Sequence, residues 1–144
     1  MSDALRVEVG SVPWAPAPDL ELGEVLDRWD VPRAGLLHQS GASYFFECIL
    51  GDGAPTSVWA YAHVDDAEME ELLGVESIDD FDKLSTRLLR DRWVTVAAVD
   101  EDKILTSMIF DAGVEGAEGL VRRLIAHLDR ITTARSRVQE LTPA

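Results

Sequence analysis

Apolar and polar positions first alternate at Leu5, Val7 and Val9, with Arg6 and Glu8 between them, which is a short strand pattern. The pattern then breaks. Pro13, Pro16 and Pro18 surround Trp14, and prolines at that density forbid a helix interior or a central strand. Residues 1–18 therefore read as a partly extended, proline-rich segment. Trp14 reads as an anchor pinning it to the core, because a tryptophan buries a large apolar area; simple exposure is the alternative. Leu20–Trp29 has two readings. Leu22, Val25, Leu26 and Trp29 have helical spacing, whereas Leu20 and Leu22 alternate like a strand and Gly23 weakens a helix. Asp30-Val31-Pro32-Arg33 then punctuates the chain, since the residue before a proline is pushed out of the helical region.

From Ala34 onward the spacing predicts an antiparallel meander. Leu36–Gln39 is one strand, Ser40-Gly41 a tight turn, Tyr44–Leu50 an aromatic-rich strand, and Ser57–Val64 a third beyond the Gly51–Pro55 loop. Two helices follow. Asp65 or Asp66 caps the first, which stops at Gly74, and the second begins at Ser77 with acidic residues in its opening turns. Trp93–Val99 and Ile104–Phe110 pair as a hairpin. From Ala117 through Leu120, Val121, Leu124, Ile125, Leu128 and Ile131 to Leu141 the apolar stripe predicts a long C-terminal helix. The expected fold is thus α+β: an antiparallel meander sheet of about five to seven strands, covered by helices on at least one face, in a single domain spanning 1–144. Residues 132–144 form either a projecting arm or a frayed tail. Phe46, Leu50, Phe81, Leu88, Val96, Leu124 and Leu128 are expected in the core.

The chain has 144 residues, enough for one domain with an ordinary core. Its 27 acidic against 13 basic residues give a net charge of −14. That surface is a poor partner for nucleic acid or for an anionic membrane, and it attracts basic proteins. The sign changes late: residues 120–144 hold 2 acids and 5 bases. One cysteine, Cys48, allows no internal disulfide and fits a reducing compartment. The opening Met-Ser-Asp-Ala-Leu-Arg lacks the apolar run of a signal peptide, so the expected location is cytoplasmic.

Templates for chemistry find little purchase. No dinucleotide or P-loop fingerprint, no nucleophile elbow and no zinc spacing is present, so no cofactor or metal is expected. Asp79, Asp80 and Asp82 lack the glycine and distal glutamate of a calcium loop and read as helix-start residues. Cys48 shares a strand face with Phe46 and reads as a small buried hydrophobe, although His38 and His63 sit on neighbouring strands. Glu47, inside the aromatic strand, is the best candidate for a carboxylate with a raised pKa; facing solvent on the opposite side of the strand is its plainer role. Trp59, Tyr61 and His63 share one face of a strand, either as a core layer or as a partly exposed interaction patch.

Trp29, Asp30, Pro32, Gly41 and the Tyr44–Leu50 strand give residues 20–73 a resemblance to small bacterial domains of unknown function. The resemblance implies the meander, and it carries no activity across. The functional expectation is a non-enzymatic interaction module that regulates, adapts or neutralises another, basic, protein. A small-molecule binder or enzyme with a pocket beside the meander is the alternative. The expected binding residues are Trp59, Tyr61 and His63, together with Arg130, Arg135 and Arg137, which would pair with the acidic surface of a second copy in a homodimer.

Overall fold

The computed structural model describes residues 4–51, 55–113, 122 and 126. Six strands lie side by side in chain order: β1 (Glu21–Trp29), β2 (Val31–Gln39), β3 (Ala42–Leu50), β4 (Thr56–Val64), β5 (Trp93–Asp100) and β6 (Lys103–Asp111). All pairings are antiparallel. Two helices, α1 (Asp66–Leu73) and α2 (Ile78–Leu88), interrupt the meander between β4 and β5.

Local chemistry fixes the joints. Ser40-Gly41 closes a two-residue hairpin in which Gly41 takes a φ of 79°, so Gln39 faces Ala42 and the β2–β3 register follows. Asp30 turns the chain between β1 and β2 with a φ of 64°, a conformation aspartate tolerates better than most residues. At α1, Asp65 accepts from the Glu68 amide at 2.8 Å while Glu68 accepts from the Asp65 amide at 3.0 Å, a reciprocal cap. Ser77 caps α2 by accepting from the Asp80 amide at 3.1 Å, and Asp79 and Asp80 occupy the first turn, where the helix dipole favours negative charge.

Both faces of the sheet are apolar. One carries Ala34, Leu36, Phe45, Val58, Ala60, Ala62, Val64, Val94 and Val96, and packs against Leu72, Leu84, Leu88 and Leu89. The other carries Leu37, Tyr44, Phe46, Trp59, Tyr61, Ala97, Val99 and Ile104. An N-terminal strap covers this second face, with Leu5, Val7, Trp14, Ala17 and Leu20 packed on it. Trp14 does act as an anchor, its ring 6.2 Å from that of Trp59. The Tyr61 hydroxyl donates to the Pro13 carbonyl at 2.6 Å, and the Thr95 hydroxyl donates to the Leu5 carbonyl. Gly10 and Ser11 exchange backbone hydrogen bonds with Ile104.

The expectation of an α+β sheet covered by helices, ending in a long C-terminal helix, is corrected. The described chain is mostly an open six-stranded meander with two short helices, of 8 and 11 residues. Leu20–Trp29, ambiguous by spacing, is largely strand because β2 offers it a pairing partner. The second sheet face is covered by the strap, whose prolines exclude a helix. No long C-terminal helix occurs among the described residues, and the stripe from Ala117 to Leu141, with Leu124 and Leu128, lies almost wholly outside them. Phe46, Leu88 and Val96 are fully buried and Phe81 packs partly against the first face. Leu50 is 39% exposed, because a register shift between Cys48 and Leu50 breaks the alternation at the end of β3. No described helix is long and apolar enough to cross a membrane.

One ion pair ties α1 to the sheet. Arg92 grips both Glu68 carboxylate oxygens, at 2.7 and 2.6 Å, and donates to the His63 carbonyl at 3.0 Å. Hydrogen bonding from Arg92 holds the Glu68 carboxyl below its ordinary 4.5. The stability this adds is complete above that ordinary value and is lost as pH falls through the lowered one. Glu68→Gln is therefore expected to cost about 1–3 kcal/mol at neutral pH, a charge-assisted pair being worth that much. The gap to the parent in chemical denaturation should close in acid.

Candidate functional site

The register of the sheet places six residues in one row across the helix-covered face: Asp27, Ala34, Glu47, Ala60, Val96 and Met108. Glu47 stands in the middle of this row. Its flanking neighbours on β2 and β4 are alanines, both almost fully buried, so no large side chain closes over it from within the sheet. Above it passes α2, presenting Phe81, Asp82 and Ser85. Asp27 sits two strands away, about 10 Å between backbones.

The space so left is a cleft of about 430 Å³. Leu26, Asp27 and Glu47 line it from the sheet, Leu72 and Leu73 from α1, Val75, Glu76 and Ser77 from the connection, and Ile78, Phe81 and Asp82 from α2. Four of these residues are carboxylates, and none of the lining residues is Lys, Arg or His. The wall includes the apolar Leu26, Leu72, Val75 and Phe81, and the mouth is apolar. Leu73 and Ile78 stand exposed there, Ile78 at 80%. Beyond Val75 and Glu76 the acidic character continues into a shallower depression that includes Glu71 and Asp80.

Glu47 is the unusual member. Its Oε2 atom is buried and has no hydrogen-bond partner. Burial raises the carboxyl from 4.5 to about 7, the Ser85 hydroxyl pulls in the opposite direction, and the charges of Asp82 and Asp27 add to the rise. Near neutral pH the group is divided between a neutral acid that donates and an anion that accepts, so it can exchange a proton or hold a cation.

The residues singled out by spacing lie elsewhere. Trp59 and Tyr61 are buried beneath the strap, at 2% and 0% exposure, with Trp59 Nε1 donating to the Ser57 hydroxyl at 2.9 Å. Burial pushes the Tyr61 hydroxyl far above its ordinary range. Of the two readings, core layer or partly exposed patch, Trp59 and Tyr61 take the first: the strap supplies the apolar partner that spacing alone did not reveal. His63 is half-buried, its ring edge-on to Tyr44 at 5.7 Å. Arg130, Arg135 and Arg137, and the dimer contact built on them, lie outside the described residues. Cys48 shares its face with Phe46, as its spacing implied, with the Arg33 guanidinium 3.8 Å from its sulfur. Among the described residues no three His, Cys, Asp or Glu side chains converge in a way that would hold a metal ion.

Comparison with known protein families, curated proteins and solved structures returns no match to this chain. The chemistry of the site therefore rests on its own residues.

The raised Glu47 carboxyl has a sign that can be tested. Between about pH 4.5 and 7 the folded protein holds a proton that the unfolded chain has released, so stability from this group is lost as pH rises through the window. A shift of that size corresponds to about 3 kcal/mol. Glu47→Gln keeps the shape and removes the charge. Its stability relative to the parent should grow by about 2–3 kcal/mol between pH 5 and pH 8 in urea titrations. Parallel pH profiles for the two proteins would mean that Glu47 is solvated.

Proposed function

We propose that the protein is an interaction module that binds a basic protein partner by taking a lysine or arginine side chain into the Glu47 cleft. One observation carries this reading: a cleft with four carboxylates and no cationic lining residue contains a buried carboxylate oxygen without a partner. An isolated buried carboxylate is costly, and an incoming ammonium or guanidinium offsets that cost. The apolar walls suit the rest of the ligand. Lysine and arginine carry a methylene stem behind a charged head, and Leu73, Ile78 and Phe81 border the path such a stem would take. The excess of acid over the whole chain steers a basic partner toward the site.

The volume of the cleft also falls within the range of small-ligand pockets, so a free organic amine is the second reading. The two share a head-group chemistry and differ in whether a polypeptide is attached to it.

Titration of isotope-labelled protein with a Leu-Lys-Leu peptide, its Leu-Glu-Leu counterpart and n-butylamine separates the cases. The lysine peptide should shift the amide signals of Glu47, Phe81 and Asp82, and the glutamate peptide should leave them in place. Asp82→Asn should weaken the lysine peptide about tenfold, the equivalent of roughly 1.4 kcal/mol. Added salt should weaken it further, because charges near the surface are screened within about 10 Å at 0.1 M. Equal binding of amine and peptide would favour the second reading. Indifference to the sign of the charge would overturn both.

A further inference from the structure

A second cleft, of about 530 Å³, lies at the β2–β3 hairpin beside the start of α1. His38 and Ser43 both line it. They face each other across the hairpin, and His38 Nδ1 is 2.9 Å from the Ser43 hydroxyl oxygen. On the other side of the ring, His38 Nε2 is 3.0 Å from Glu24 Oε2. Serine, imidazole and carboxylate are thus joined in one line, a constellation that no sequence motif announces because its three members come from two hairpins.

The backbone is shaped to make this line. β1 and β2 run in register at Leu22–Leu37 and again at Val25–Gly35, so Gly23 and Glu24 together oppose Leu36. That is a β-bulge, a device that re-aims a side chain, and here it accompanies the turn of Glu24 toward His38. Two glycines admit it. A Cβ on Gly35 would lie 2.5 Å from the Glu24 carbonyl oxygen, and a Cβ on Gly23 would lie 2.4 Å from the His38 ring. The imidazole therefore rests on bare backbone between its two partners.

The carboxylate also sets the tautomer. Glu24 is held below its ordinary pKa chiefly by the hydrogen bond from His38, so it is ionised and can only accept. That places a ring proton on Nε2, and in the neutral ring Nδ1 then carries the lone pair that accepts from Ser43. This is the arrangement of a nucleophile, a general base and an orienting acid, with the two ring nitrogens exchanging their usual parts.

We propose that Ser43 is the nucleophile of an acyl-transfer site, with His38 as its general base and Glu24 as the positioning residue, acting on small uncharged esters seated in the hairpin cleft. The Ser43 oxygen attacks the ester carbonyl while His38 Nδ1 takes the serine proton. The ester C–O bond breaks, and that proton leaves with the alcohol. Water, deprotonated by the same nitrogen, then releases the acid and restores the serine. This site is separate from the Glu47 cleft and independent of what that cleft binds.

Ester turnover alone would not be decisive, since an exposed imidazole hydrolyses activated esters unaided. Covalent capture is decisive. Diisopropyl fluorophosphate should add one phosphoryl group to the full-length protein: the serine oxygen bonds phosphorus, fluoride leaves, and the proton passes through His38 to solvent. Peptide mapping should place the adduct on Ser43, and Ser43→Ala should take up none. In Glu24→Gln the neutral amide, which can donate as well as accept, no longer fixes the ring proton on Nε2, so the base at Nδ1 is only partly available. Labelling should slow about a hundredfold in a protein that stays folded and loses only the small stability of an exposed pair, a response that a merely structural Glu24 would not give. An unlabelled parent, an adduct on another residue, or undiminished labelling of Glu24→Gln would overturn the proposal.

Discussion

A sheet that is apolar on both faces has to be covered twice, and the described residues include only two short helices, α1 and α2, with which to do it. One cover is the α1–α2 pair, inserted between β4 and β5. The other is the proline-rich strap, which runs across Phe46, Trp59 and Tyr61 and is fixed by Trp14 and by hydrogen bonds from Tyr61 and Thr95. Neither is a large cover. Each contributes through a few buried side chains, worth about 1.5–3 kcal/mol apiece for the larger aliphatics. The remaining features depend on where these two covers reach and where they stop.

Over the first face, α2 crosses a row in which alanine, glutamate and alanine succeed one another on β2, β3 and β4. Two small side chains leave room, and the helix closes that room only in part. The result is a carboxyl group held off water by its neighbours, with further carboxylates around it and exposed apolar side chains at the rim. A well-packed apolar residue at Glu47 would give a more stable fold; a carboxylate with one oxygen left unpartnered is what a site for a cationic group requires. At the far end of the same sheet, the bulge at Gly23–Glu24 achieves the opposite, a polar line in which each imidazole nitrogen has a partner.

Much of this was legible in the sequence. The Ser40-Gly41 turn sets the β2–β3 register, so the facing of Ala34 and Glu47 comes from counting outward from the turn. The helix starts at Asp65 and Ser77 announced themselves through capping chemistry. Other features did not show, for physical reasons. Glu47 reads as solvent-facing only if one face of β3 is wet, and Phe45 and Phe46 place apolar side chains on both faces. Trp59 and Tyr61 read as a patch only if nothing covers them, and strap packing is a long-range contact that no local period reports. The Gly23–Glu24 bulge is likewise set by its partner strand, and spacing therefore left Leu20–Trp29 between helix and strand.

The central claim is that Glu47 is a half-buried acid, one oxygen of which has no partner, poised near neutrality within an acidic cleft. Carbon-13 detection of the Glu47 side-chain carboxyl through a pH titration measures this directly. The account predicts a midpoint near 7 that falls when the lysine peptide is added, because the incoming cation favours the anion. A midpoint near 4.5, unmoved by the peptide, would contradict it.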